Sequence, residues 1–372
     1  MLSLSKHLGR HVELLTERYL PRCFDKRTPD EHSVLNSSPP KVKDTLNHLF
    51  AYRTLPQEEA HRVVLGIAQG QYNPAQIAAF LTVYLMRSVT VEELAGFRNA
   101  LLELCRPVDL GGVDAMDVCG TGGDGRNTFN ISTLSAFVVA GAGQPVAKHG
   151  NHGVSSISGS STVLEHMGVK FTADNGQLKR QLDEANICFL HAPLFHPALK
   201  NVAPLRKELG VKTFFNMLGP LVNPAQPRLQ LVGVFSLELA RLYAYLYQQE
   251  ASRRFLIVHS LDGYDEVSLT GPVKLVSRQG EELLNPGDLG LPQTTPEALF
   301  GGDTVAEAAD IFQRVLRNEA PLAHRNAVLA NAALALRTAG RAADITEGLA
   351  MAAESLDSGR ARQGFEKLLA LG

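Results

Sequence analysis

Apolar positions in residues 41–105 recur at helical spacing, and after Gly111-Gly112 the pattern changes to short apolar runs alternating with amphipathic segments. In 56–68 a proline near the start, acids in the first turn and apolar residues three and four apart predict a helix. Segment 74–86 repeats that grammar with Ile77, Leu81, Tyr84 and Leu85 on one face, and 91–104 does so with Leu94, Phe97, Leu101 and Leu104. Beyond the glycine pair, 115–119, 145–147, 187–190, 229–235 and 255–259 read as buried strands. Between them 133–142, 161–167, 178–185, 237–250 and 305–316 read as helices, and the alanine-rich 324–337 as a C-terminal core helix. Such alternation predicts an α/β fold: a small helical N-terminal domain (41–108) and a larger α/β domain (113–370) with a mostly parallel central sheet. A ligand is expected in the cleft between the two. Residues 1–40 mix both charge signs, end in Asn36-Ser-Ser-Pro-Pro40, and are expected to be a poorly ordered extension rather than a targeting peptide.

The 372 residues are 45% hydrophobic and 20% charged with a formal net charge of −2, so no global basic field invites nucleic acid. No apolar run is long enough to span a membrane. Cys23, Cys105, Cys119 and Cys188 lack metal-ligand or CxxC spacing, which suits reduced thiols in a cytoplasmic enzyme.

The densest chemistry lies in Asp117–Thr133, where Gly120, Gly122, Gly123 and Gly125 follow an apolar run and Asn130-Ile-Ser-Thr133 opens a helix. Glycines let a backbone turn sharply and approach a ligand closely. Amide N–H groups freed by such a turn, with those of the next helix's first turn, form an oxyanion pocket. Gly120-Thr-Gly-Gly-Asp-Gly125 also satisfies G-x-G-x-x-G, but a dinucleotide site needs an acid about 20 residues on. Here that distance holds the basic Pro145-Val-Ala-Lys-His149, and the Gly-Lys-Ser/Thr of a P-loop is replaced by Gly125-Arg-Asn. A second basic, hydroxyl-rich run, 148–161, completes the outline of a site for a phosphate-rich small molecule.

Gly120-Thr-Gly-Gly-Asp124, Asn130-Ile-Ser-Thr133, Lys148-His-Gly-Asn151 with Ser155-Ser156, the run from Arg206 to Pro224, and Asp265-Glu-Val-Ser268 occur in one order over roughly residues 43–370. In this the chain resembles the anthranilate phosphoribosyltransferases. The resemblance implies a homodimeric, magnesium-dependent, cytoplasmic enzyme of tryptophan biosynthesis. Such an enzyme joins anthranilate to 5-phosphoribosyl 1-pyrophosphate and releases pyrophosphate.

It further implies that Gly120, Gly123, Asp124, Thr128 and Asn130, Ile131, Ser132 and Thr133 wall the donor's pyrophosphate. Lys148, His149, Gly150, Asn151, Ser155 and Ser156 form a second wall, with Ser160 touching the donor. Ser132, Asp265 and Glu266 would ligate magnesium, expected as two ions per site, and Arg206 would grip anthranilate's carboxylate with Asn151 beside it. Lys148 reads as a mobile point charge suited to phosphate. The run 190–197 could line the acceptor's path or pack in the core. No residue is expected to serve as a dedicated acid or base, because anthranilate's amine is already unprotonated near neutral pH. Two positions depart from the family pattern: His152-Gly153 follows Lys-His-Gly-Asn where arginine is usual, and Lys212 stands where arginine is usual.

Two other functions fit the chain less well. Pyrimidine nucleoside phosphorylases carry Lys-His-Ser-Thr-Gly-Gly where this chain has Lys148-His-Gly-Asn151. A non-catalytic nucleic-acid binder fits neither the near-neutral charge nor the paired acids.

Overall fold

The computed structural model describes residues 41–153 and 157–372, which belong to one compact unit. The expected order of the extension, and the expected roles of Ser155 and Ser156, lie outside the described residues. Four helices come first: α1 (Val42–Phe50), α2 (Gln57–Ala68), α3 (Pro74–Met86) and α4 (Val91–Leu104). Asn73 and Thr90 cap α3 and α4 by accepting from the backbone N–H three residues on, while Gln76 and Glu93 return the bond.

The chain then alternates β1 (Met116–Gly120), α5 (Ile131–Gly141), β2 (Val146–Gly150), α6 (Ser160–His166), α7 (Asn175–Ala185) and β3 (Ile187–His191). After α8 (Ala192–Phe195) and α9 (Ala203–Leu209) come β4 (Leu229–Gly233), α10 (Leu237–Gln248), β5 (Arg254–Ser260), β6 (Val273–Ser277) and β7 (Gly280–Leu284). The last four helices are α11 (Val305–Leu316), α12 (Leu322–Ala339), α13 (Ile345–Asp357) and α14 (Arg360–Ala370).

The strands form one sheet in the order β3-β2-β1-β4-β5-β6-β7, parallel through β5 and antiparallel beyond it. Sequence patterning did not reveal β6 and β7. β7 is an edge strand whose Glu281 and Glu282 face solvent, so it carries no buried apolar run.

Chain order reverses between β1 and β4, whose last residues Gly120 and Gly233 are partners in register. Crevices in α/β sheets open at the carboxyl ends of strands where the order switches. Here that point is the start of the glycine loop.

One apolar core packs α5, α11, α12 and α14 on one face of the sheet. The other joins α1–α4 to β4, β5 and α10, so the helical bundle is docked on the sheet by shared hydrophobic burial. Phe97 of α4 stacks on Phe214 at 4.3 Å between ring centroids, which carries the 213–218 segment to the cleft between bundle and sheet.

Asp265 packs where no side chain but glycine's leaves room: a Cβ on Gly233 would lie 1.4 Å from the Asp265 carbonyl oxygen. Gly233→Ala is therefore expected to destabilise the protein by about 3 kcal/mol or more, through forced backbone displacement. Gly287→Ala, where nothing lies within 4 Å, should stay within about 0.5 kcal/mol of the parent. Chemical denaturation of both variants checks the pair.

Candidate active site

The cleft is a cavity of 280 Å³ at the carboxyl ends of β1 and β2, roofed by Leu101 of α4 and the segment 215–222. Its floor begins at the glycine loop after β1. Gly122, Gly123 and Gly125 take φ of +61°, +76° and +77°, which side chains bearing a Cβ adopt at a cost. Gly120 has another reason to be glycine: a Cβ there would lie 2.5 Å from Asp265 Oδ2.

The loop curls around the acid pair. Gly122 N–H donates to Asp265 Oδ2 at 2.6 Å, and Ser132 N–H, at the N-terminus of α5, donates to Glu266 Oε1 at 2.8 Å. Asp124 accepts from the N–H of Arg126 at 2.9 Å. Burial pushes all three carboxyls above their ordinary pKa values; next in size are Asp124's charge on Asp265 and Asp265's charge on Glu266. Three acids thus share one space, each held by a backbone amide and each raised by burial, with like charge adding to the rise of Asp265 and Glu266. That donor set, hard oxygens with spare lone pairs, fits a divalent cation. Among the described residues no three histidine, cysteine, aspartate or glutamate side chains form a closed metal cage. Magnesium seldom needs one, since it takes a carboxylate or two and completes its shell with phosphate and water.

The second wall rises from β2. Lys148 is 2% exposed and donates to the Val118 carbonyl at 2.6 Å. The expectation of a mobile charge is corrected here: the side chain is buried and its ammonium is tied to the neighbouring strand's carbonyl. Burial lowers its pKa, against the opposing pull of Asp117 on the neighbouring strand. Asp117, fully buried, accepts from His149 N–H at 3.2 Å and from Gln230 Nε2 at 3.3 Å, so it holds the end of β2 in place. Gly150 is hemmed by Phe189 and Ser160, whose hydroxyl donates to the Asn151 carbonyl at 3.2 Å.

Of the expected pyrophosphate wall, Gly120, Gly123, Asp124, Thr128, Asn130, Ser132 and Thr133 line this cavity. Lys148, His149, Gly150, Asn151 and Ser160 line it opposite them, and Arg206, Asp265 and Glu266 face it as well. Ile131 does not: its side chain is 0% exposed in the sheet-side core. Adjacent residues at a helix start point in different directions, so the motif sends Ser132 to the cleft and Ile131 inward.

The run 190–197 divides. His191 is buried against Ser161 Oγ at 2.8 Å and stacks on Phe171, whereas His196 lines the cavity. His196 Nε2 pairs with the Val222 carbonyl at 2.9 Å, and its ring lies 5.4 Å from that of His149. Arg206, on α9, reaches Asn216 Oδ1 at 3.1 Å and lies over Phe215, forming a cation-bearing aromatic corner.

Polar atoms in the walls remain without a protein partner: Thr121 Oγ1, Asn130 Oδ1, His149 Nε2, Ser158 Oγ and His196 Nδ1. Buried polar groups are usually satisfied, so their convergence marks where a polar ligand fits. Asp117 and Ser158 lie in the two runs that the motifs mark, but the motifs give neither a role. A charged residue inside an apolar strand run was the available signal for the first, and Ser158 is one hydroxyl among several in its run.

The chain matches the glycosyl transferase family's helical bundle domain over residues 43–105 and its a/b domain over 112–362. It is 56% identical to anthranilate phosphoribosyltransferase of Christiangramia forsetii over 88% of this chain and 98% of that protein. It is 52% identical to the Bacteroides fragilis enzyme over 89% and 99%. The Thermus thermophilus anthranilate phosphoribosyltransferase structure superposes with a TM-score of 0.82 at 36% identity, covering 88% of this chain and 99% of that one. The Saccharomyces cerevisiae enzyme in complex with PRPP and Mg gives 0.83 at 28% identity, covering 90% and 98%. Its complex with 4-fluoroanthranilate gives 0.80 at 26% identity, covering 90% and 98%.

Burial lowers the pKa of His196 from 6.5 to about 4, so the folded protein keeps it neutral. The unfolded chain binds that proton from about pH 6.5 downward, so the neutral ring's stabilisation is complete above this pH and is lost as pH falls towards 4. The pH–stability profile of His196→Gln should be shallower than the parent's in that window, by up to about 1.4 kcal/mol per pH unit. Urea denaturation at half-unit pH steps measures the difference.

Proposed function

The chain belongs to the anthranilate phosphoribosyltransferase family, and from that membership we propose how its cleft carries the family's reaction. The protein transfers the phosphoribosyl group of 5-phosphoribosyl 1-pyrophosphate to the amine of anthranilate, giving N-(5-phosphoribosyl)anthranilate and pyrophosphate, a step of tryptophan biosynthesis. The observation that carries this reading is the convergence of the glycine loop, buried Lys148 and the acid pair on one cavity.

Breaking the C1–O bond develops negative charge on the diphosphate and positive character on the ribose ring. Rate then depends on holding the leaving group and aligning the amine. The glycine loop after β1 and the N-terminal end of α5, whose dipole favours negative charge, face the diphosphate. Lys148, pinned from behind by Val118, supplies a charge that needs no rearrangement as the bond breaks. Asp265 and Glu266, with Ser132, would hold magnesium, for which we propose two ions per site; when bound it supplies neutralising charge beside the diphosphate. Asp124 shares that space from the loop side.

On the acceptor side, Arg206 can grip a carboxylate with two parallel N–H bonds, and Asn151 offers a further hydrogen bond. His149 and His196 are both held neutral by burial, at about 3 and about 4. They can position an aromatic amine without adding charge beside the developing cation. No proton need leave before attack, because the amine's lone pair is free. We assign the protein to the cytoplasm as a homodimer. Supporting the location, Cys105, Cys119 and Cys188 are free thiols, and no helix among the described residues is long and apolar enough to cross a membrane.

Loss of anthranilate fluorescence should require both the phosphoribosyl donor and magnesium; consumption without either would overturn the reading. Arg206→Ala removes a charge-assisted pair worth about 1.5–3 kcal/mol, so KM for anthranilate should rise roughly ten- to a hundredfold. The KM for the donor should stay within about threefold, and Arg206→Lys should recover only part of the loss. An effect confined to the donor would remove Arg206 from the acceptor site.

A further inference from the structure

We propose that Arg126 is a positioning residue that braces the glycine loop against the turn carrying Asp265 and Glu266, and so sets the cleft's hold on metal-bound diphosphate. The inference rests on the functional reading above.

Arg126 stands at the far end of the glycine loop and touches both parts of the site. Its backbone N–H donates to Asp124 Oδ1 at 2.9 Å, closing a short turn that aims this acid. Its side chain spans 136 residues of sequence, where Nη2 donates to the Asp262 carbonyl at 2.6 Å. The guanidinium carbon lies 4.8 Å from the centroid of the Tyr264 ring, which is itself 3% exposed and immediately precedes Asp265. Between these two contacts sits Gly263 at φ +101°, where a Cβ would come within 3.7 Å of Nη2, so the guanidinium lies close over the turn. The turn's other end is tied by Ser260, whose hydroxyl donates to the Glu266 carbonyl at 2.6 Å.

The result is a single plate, 260–266, pinned beneath by Ser260 and above by Arg126. Asp124 belongs to the loop and Asp265 to the plate; the Gly122 amide joins the two segments at Asp265 Oδ2, and Arg126 joins them a second time through the Asp262 carbonyl. Arginine suits the task because a planar guanidinium can donate in its own plane while its face rests on a ring. Lysine can do one or the other. Because the bond goes to a carbonyl rather than to a carboxylate, the brace leaves the acids' oxygens available to a cation.

The test uses the full-length protein. Binding of inorganic pyrophosphate in the presence of magnesium is measured by isothermal titration calorimetry, alongside KM values for both substrates. Loss of one hydrogen bond and one cation–π contact should weaken magnesium-dependent pyrophosphate binding about tenfold in Arg126→Ala, with a similar rise in donor KM. The anthranilate KM and the thermal midpoint should hardly move. Arg126→Lys should fall between, and Tyr264→Leu should match Arg126→Ala. The double variant should be no worse than either single one, because both remove the same brace. Tyr264→Phe keeps the ring and should behave as the parent, which serves if Tyr264→Leu does not fold. Unchanged pyrophosphate binding in Arg126→Ala, or losses that multiply in the double variant, would overturn the brace alone. Parent protein that binds no pyrophosphate with magnesium and consumes no anthranilate would overturn the functional reading and the brace together.

Discussion

The close packing of Asp265 behind two glycines is the constraint on which the site depends. Gly120 and Gly233 are partners at the ends of adjacent parallel strands, and each leaves out the Cβ that would strike Asp265. One admits the carboxylate and the other the main chain. The sheet's register thereby decides where the acid pair can lie, and the glycine loop starting at Gly120 wraps around whatever occupies that position. Fold and chemistry meet in a steric fact: the switch point of the sheet is empty enough to hold an acidic turn.

Electrostatics then follow from burial. Putting Asp124, Asp265 and Glu266 together out of water disfavours ionising all three, and their pKa values rise accordingly. Across the cleft, Lys148 suffers the opposite bias, lowered by the same desolvation and partly restored by Asp117. Neither wall is balanced within itself. Under the proposed function, such a site suits a ligand that brings both signs: a diphosphate for the lysine, and a divalent cation for the acids. On that reading the residues of a phosphate site and a metal site, drawn from segments 120–133, 148–160 and 265–266, face one cavity.

Much of this was legible in the letters. The helices α2, α3 and α4 followed from apolar spacing, and the parallel core of the sheet from short buried runs between them. Motif residues reached the cleft because a glycine turn, a helix N-terminus and a strand end are local structures that local sequence encodes. What escaped detection is tertiary. β7 is an exposed edge whose charges erase the strand signature, and α14, with Arg360, Arg362, Gln363 and Lys367, buries only a narrow stripe. Gly233 reads as an unremarkable residue in an apolar strand until Asp265, 32 positions later, is seen to need its space. Lys148 reads as a mobile point charge until the neighbouring strand's carbonyl is seen to hold it.

The two departures from the family pattern acquire meaning from the same logic. Lys212, in place of a fork of donors, sends its ammonium to the Gly123 carbonyl. His152 turns inward on its own segment, its backbone N–H donating to Asn151 Oδ1 at 2.8 Å and its ring pairing with Thr162. Lys212 thus reaches the glycine loop from the acceptor side, as Arg126 reaches out from the loop's other end, and both spend their hydrogen bonds on carbonyl oxygens. Had either cation paired with Asp124, Asp265 or Glu266, it would have neutralised the charge that makes the acids useful and competed with any metal for the same lone pairs. The acids instead accept from backbone amides, which orient a carboxyl group and leave further lone pairs open. With the cations spent on carbonyl oxygens, a divalent ion that reached those lone pairs would itself offset the cost of ionising the acids out of water.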